Sequence, residues 1–145
     1  MSEEEGDPLA IALFSEVLAL EGLVHARLTQ ALPRGMELSH FLVLNHLARL
    51  GRERSPAQLA KTLNVTKGAM TNTLSKLEVL GYVHIRPDWD DGRRKWVDLS
   101  ASGLSARQSA VRAIAPLFED VMAAVGADRV RQGLPFLREL RGVLD

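Results

Sequence analysis

Apolar residues recur in the first part of the chain at Leu13, Val17, Leu20, Val24, Leu28 and Leu32, in steps of three and four. That spacing puts them along one side of a helix and predicts a long helix over Leu9–Leu32. Phe14, Leu18 and Leu23 widen the stripe well beyond one face. A helix with this much apolar surface needs covering, either by a second subunit or by the rest of its own chain.

After a Pro33–Gly35 turn, Ser39 is the expected cap of a helix that runs to Leu50, with Phe41, Leu44, Leu47 and Ala48 inward and Gly51 as its stop. Ser55, Pro56 and Gln58 form a capping box, with proline where its missing N–H costs nothing, and open a short helix ending near Leu63. Asn64 tolerates the left-handed backbone of a sharp corner. Thr66 caps the next helix, which turns Met70, Leu74 and Leu77 inward and stops at Gly81.

Tyr82–Arg86 and Lys95–Leu99 alternate in the strand manner, with Val83 and Ile85 expected on one face and Val97 and Leu99 on another. Pro87–Arg94 is the tip of that hairpin. Another long helix follows from Ser100 or Ser102 to about Val125, in which Pro116 is expected to make a kink or disturb one hydrogen bond. Gly126 separates it from a last helix, which Pro135 is expected to bend or split. The predicted fold is mainly α: about six helices and a small β-hairpin wing.

Charge sharpens this picture. The formal net charge is zero, but residues 1–48 carry two cations against seven acids, residues 49–100 ten against six, and residues 101–145 six against five. The basic middle third is a candidate polyanion-binding face. The chain has no cysteine, which removes disulfides, thiolate metal sites and thiol redox sensing. No unbroken apolar run approaches the roughly 18 residues that cross a bilayer. The acidic opening MSEEEGDP resembles neither a secretory signal nor a transit peptide and is expected to be a frayed tail. No membrane contact is expected, and a cytoplasmic, nucleoid-associated protein is.

A capped short helix, a tight corner, a polar-faced helix and a hairpin together make a helix-turn-helix followed by a wing. A helix that enters the major groove, about 12 Å wide, needs a slim polar outer face. Here that face reads Thr66, Lys67, Gly68, Ala69, Thr71, Asn72, Thr73, Ser75 and Lys76. Asn72 suits a bidentate contact to adenine, Lys67 a guanine or a phosphate, and the free amides at Thr66–Ala69 a phosphate. Gly68 costs about 1 kcal/mol of helix propensity and allows close approach.

In the wing, Arg93, Arg94 and Lys95 fit a negatively charged minor groove. Asp91 is expected to pair with Arg94 and hold the loop, leaving Arg93 to enter the groove, while Gly92 is expected to allow the positive φ that such a tip requires. Trp89 and Trp96 are expected to pack across the hairpin; the alternative places Trp89 on a deoxyribose.

These residues resemble those of the multiple-antibiotic-resistance regulator (MarR) family. The resemblance rests on LAKTLNVTKGAMTNTLSKLEVLGYV for the helix-turn-helix and DDGRRKWVDLSASG for the wing and the next helix start. It implies an obligate homodimer, a palindromic operator and a transcription regulator, read here as a repressor. Residues 1–36 and 101–145 would form the dimerisation region and residues 37–100 the DNA-binding domain. Carried over by position, Thr66, Lys67, Ala69, Thr71, Asn72 and Lys76 face the major groove. Arg93 is the wing-tip arginine, Arg94 its structural or phosphate-binding neighbour, and Ser55 and Gln58 lie near the DNA backbone. Family members often have arginine where this chain has Asn72.

The resemblance also implies release of DNA by a small aromatic or anionic effector bound between the dimer region and the winged domain. His25, His40, His46 and His84 are scattered, so no metal site and no cofactor is expected. The rival reading is a winged-helix module that binds protein and has lost DNA; exposed apolar groups on the polar helix would favour it. An enzyme is not expected, because no glycine-rich phosphate loop and no histidine–carboxylate spacing stands out.

Overall fold

A computed structural model describes residues 6–145. Most of the expected acidic tail lies outside these residues. Its last two positions belong to the first helix: Asp7 caps it, its Oδ1 accepting the Leu9 N–H at 2.9 Å, and Pro8 follows as the first helical residue.

The order is α1 (Pro8–Ala31), α2 (Leu38–Leu50), α3 (Pro56–Thr62), α4 (Lys67–Val79), β1 (Val83–Pro87), β2 (Lys95–Leu99), α5 (Ala101–Val125) and α6 (Ala127–Leu144). The mainly helical fold, with about six helices and a hairpin wing, is the one expected. Several details differ. The cap of α2 is Glu37 rather than Ser39, and its N–H donates to His40 Nδ1 at 3.3 Å. Both α5 and α6 run unbroken through Pro116 and Pro135, so the last helix is not split. A proline inside a helix removes one donor, and the turns on either side keep the rest of the ladder.

Val83 lies opposite Leu99 and Ile85 opposite Val97 in the antiparallel pair. Directly opposed residues share a face. The four therefore point the same way, into the core, rather than to two faces. Arg54 also bridges Val97, each N–H donating to the other's carbonyl at 3.0 and 2.7 Å. This adds an isolated bridge from a third segment, outside the hairpin, that alternation did not reveal.

Two buried clusters hold the chain together. The larger joins Val43, Leu44 and Leu47 of α2 to Leu59, Met70, Leu74, Leu77, Val83 and Val97, so it is the core of the winged helix. The smaller packs Leu32 and Phe41, on either side of the Pro33–Gly35 turn, against Ala110 and Ile114 of α5. Arg107 of α5 also donates to Asn45 Oδ1 from Nε and Nη2, at 3.2 and 3.0 Å. At the start of α5, Ser100 Oγ donates to the Gly81 carbonyl at 2.6 Å and accepts the Gly103 N–H at 3.0 Å. Gly103 lies directly against the Tyr82 carbonyl, where no Cβ fits.

No residue of α1 or α6 is buried. Leu9, Ile11, Leu18, Leu20 and Leu23 of α1 are exposed, as are Phe118, Val121 and Met122 of α5 and Phe136 and Leu137 of α6. An 18-residue stretch of α1 has a mean hydropathy of 1.7, so this helix is long and apolar enough to cross a membrane. That corrects the expectation from unbroken runs: Glu16, Glu21 and Arg27 interrupt the run but are too sparse to lower the average much.

Candidate nucleic-acid interface

The capping box at α3 forms as expected. Ser55 Oγ accepts the Gln58 N–H at 3.2 Å and Gln58 Oε1 accepts the Ser55 N–H at 3.0 Å. Asn64 has φ +54°, the only positive φ on a non-glycine residue among the described residues, and it turns the chain from α3 into α4. Thr66 Oγ1 then accepts the Ala69 N–H at 3.1 Å. That leaves the amides of Lys67 and Gly68 at the open end of α4, where the aligned peptide dipoles favour an anion.

Met70, Leu74 and Leu77 anchor the inner side of α4, and this leaves Lys67, Gly68, Ala69, Thr71 and Asn72 exposed. Thr71 Oγ1 donates to the Lys67 carbonyl at 2.9 Å. Its proton is therefore used within the helix, and its oxygen faces outward only as an acceptor.

The wing tip brings its cations to the same side. A groove of about 470 Å³ is lined by Ser55 and Gln58 of the α3 cap, Lys67 and Thr71 of α4, and Asp91, Arg93, Arg94 and Lys95 of the wing. Six of the residues expected to bind DNA thus meet around one concavity. Ser55 is buried and spends its side chain on the cap, so it shapes the groove rather than reaching from it. Thr66, Gly68, Ala69 and Asn72 lie on the exposed side of α4 outside that lining.

Lys76 departs from the expectation. Its Nζ lies 3.6 Å from Glu37 Oε1, so it reaches back to the start of α2. Beside it, His40 is only 5 % exposed, and burial holds its pKa below the ordinary histidine value, with Glu37 opposing and Lys76 adding to the effect. Since Nδ1 accepts a hydrogen bond, the neutral ring carries its proton on Nε2.

The expected Asp91–Arg94 ion pair is absent among the described residues. Asp91 acts through acceptors instead: Oδ1 takes the Arg93 N–H and its carbonyl takes the Arg94 N–H, both at 3.0 Å. Gly92 does not take the positive φ expected of it, because the tip turns on carboxylate–amide hydrogen bonds instead, and the organising carboxylate is Asp88. Its Oδ1 accepts the N–H groups of Asp90 and Asp91 at 2.9 and 3.3 Å, and Oδ2 accepts Trp96 Nε1–H at 3.1 Å. The Asp90 N–H is the main reason its pKa lies below the ordinary aspartate value; partial burial opposes, and Trp96, Asp91 and Arg94 assist. No spacing in the sequence marks Asp88 out, because Asp91 closes the same kind of turn on the Arg93 amide two residues ahead.

Arg94 stacks over the Trp96 ring, 5.5 Å from its centroid, within the range of a cation–π contact. Trp89 is 81 % exposed, so the two tryptophans do not pack across the hairpin. Glu53 grips Arg86 through both carboxylate oxygens, at Nε and Nη2. This clamp, missed in the sequence, and the Arg54–Val97 bridge fix the wing's base to the segment before α3.

Comparison with known proteins agrees with this construction. Residues 34–94, which span the helix-turn-helix and most of the wing, match the MarR family. A cysteine-to-serine mutant of MarR from E. coli, solved with operator DNA, is 26 % identical, with a TM-score of 0.70 over 88 % of this chain and 97 % of that one. A MarR-family transcriptional regulator from a Rhodococcus species shares the fold at 18 % identity, with a TM-score of 0.82 over 93 % and 96 % of the two chains. So does the PcaV transcriptional regulator from Streptomyces coelicolor, solved with its natural ligand: 17 % identity and a TM-score of 0.76 over 100 % of both chains. Its helix-turn-helix and most of its wing thus match the MarR family in sequence, and its whole length is similar in fold to MarR-family regulators.

Proposed function

We propose that the chain is a homodimeric transcription repressor that binds a palindromic operator through residues 37–100 and dimerises through residues 1–36 and 101–145. One observation carries the DNA reading: the α3 cap, the polar side of α4 and the wing cations surround a single groove. No large apolar side chain lines it, which disfavours a protein-binding module.

In this reading α4 enters the major groove. Lys67 and the amides of Lys67 and Gly68 take a phosphate, Thr66 and Ala69 lie against the backbone, and Asn72 pairs with adenine. Thr71, as an acceptor, reads a base amino group. Gln58 borders the backbone on the opposite side. Arg93 enters the minor groove while Arg94, held over Trp96, sits at its rim. Lys76, occupied with Glu37, is left out of the base-reading set.

The dimer reading is supported by apolar surface shared by α1 and α5 around Leu20, Leu23, Phe118 and Val121, and by exposed apolar side chains on α6. A lone membrane span would account for α1 only, and any 18-residue window of it would carry Glu16 and Glu21 into hydrocarbon, where charged side chains are costly. A second subunit covers all three helices and leaves the protein at the nucleoid in the cytoplasm. Release by a small aromatic or anionic effector is the control we assign, by analogy with the ligand-bound PcaV regulator.

Selection of bound sequences from a random duplex pool tests the proposal. The expected product is a two-fold symmetric site whose half-sites lie about one helical turn, or a multiple of it, apart. A pool with no enriched sequence would overturn it.

A further inference from the structure

Away from the groove, a second cavity of about 720 Å³ opens between the end of α3 and the end of α6. Arg54, Lys61 and Arg141 line it, with the neutral donors Thr62 and Asn64. None of the three cations is ion-paired among the described residues, although Asp145 also borders the cavity. Arg54 is the fixed point. Its backbone is tied into the sheet through Val97, and its Nε is buried with no hydrogen-bond partner. A buried guanidinium N–H without an acceptor is costly. Arg54 also acts at a distance: after burial, it is a cause of the lowered pKa of His46, with Arg49 adding to it.

We infer that this cavity is a binding site for a polyvalent anion, of the phosphate or polycarboxylate kind, held by Arg54, Lys61 and Arg141. An arginine fork matches two oxygens of such a group, and lysine adds a flexible point charge. The three cations come from the segment before α3, from α3 and from α6. A bound anion therefore ties the C-terminal helix to the helix-turn-helix. None of the three lines the DNA groove, so the two sites are separate.

The test is calorimetric titration of the full-length protein with pyrophosphate and, separately, with citrate, at ionic strength held constant with potassium chloride. Saturable binding of one anion per chain is expected, and the tighter of the two identifies the anion class. Lys61→Gln and Arg141→Gln alter exposed side chains, and unchanged circular dichroism would verify their folding. Each should weaken binding about tenfold or more, the loss expected for a hydrogen bond to a charged group. Lys67→Gln, in the DNA groove, should leave it unchanged. Absence of saturable binding, or equal affinity in the Lys61 and Arg141 variants, overturns the inference. So does a loss in Lys67→Gln, which would locate the anion in the groove. A parallel titration with a short duplex separates a free anion from a DNA phosphate: if both variants weaken duplex binding as much as anion binding, the cavity is a DNA contact and the small-anion assignment fails.

Discussion

Replacing Gly103 by alanine tests how α5 is joined to the winged helix. A Cβ at this position would overlap the Tyr82 carbonyl oxygen outright and lie 2.8 Å from Leu99 Cδ1 and 2.9 Å from the Tyr82 carbonyl carbon. The carbonyl is not free to yield, because it accepts the Ser100 N–H at 3.0 Å while Ser100 Oγ holds the neighbouring Gly81 carbonyl. Helix propensity alone would favour alanine by about 1 kcal/mol. Overpacking against backbone costs about 1–3 kcal/mol or more, and losing the Ser100 hydrogen bond adds about 1 kcal/mol. The net expectation is a loss of about 1–3 kcal/mol. Urea unfolding, at one protein concentration because dimerisation contributes, should show a lower midpoint with an unchanged slope. Gly142→Ala is the control: nothing lies within 4 Å of its Cβ, so it should be neutral or slightly stabilising. A Gly103→Ala protein as stable as its parent would refute the argument, since the close approach would then carry no weight. The same variant should bind DNA more weakly, because α5 carries the winged domain.

Arg93→Ala should weaken operator binding substantially and lower its salt dependence; equal affinity across a salt series would remove Arg93 from the interface. Asn72→Ala should relax base choice at one position per half-site, at about 1–3 kcal/mol of lost discrimination, which binding to a panel of mutated operators would measure. Leu18→Glu should put a charge into the proposed subunit contact and shift the protein toward monomer in light scattering; an intact dimer would exclude Leu18 from it. His40 and His46 both have pKa values lowered by burial, so the unfolded chain takes up their protons first. Stability should be full above the unfolded value of about 6.5 and decline as the pH falls below it. His40→Gln should flatten that decline, and an unchanged pH profile would show that His40 does not contribute.

The helix-turn-helix was legible because its signals are local. Ser55 and Gln58, Asn64, and Thr66 each act within a few residues of themselves, and cap and corner chemistry leave a fixed spacing in the chain. The wing was legible only as a charged turn. Its three acids are alike in composition, and only the folded loop shows that Asp88, rather than Asp91, gathers the amides and the Trp96 N–H. Spacing marked Arg93 and Arg94 as a pair, but geometry set Arg94 over Trp96 and directed Lys76 toward Glu37.

By itself, then, the order of residues determined the elements, the caps of α3 and α4 and the polar side of α4, because each follows from periodicity and near-neighbour hydrogen bonding. Tertiary structure alone decided the Glu53–Arg86 clamp, the Arg54–Val97 bridge, the contact of Gly103 with Tyr82 and the meeting of three cations near α6. These join residues far apart in the chain or on separate elements, and no local pattern encodes a distance set by how helices and strands pack.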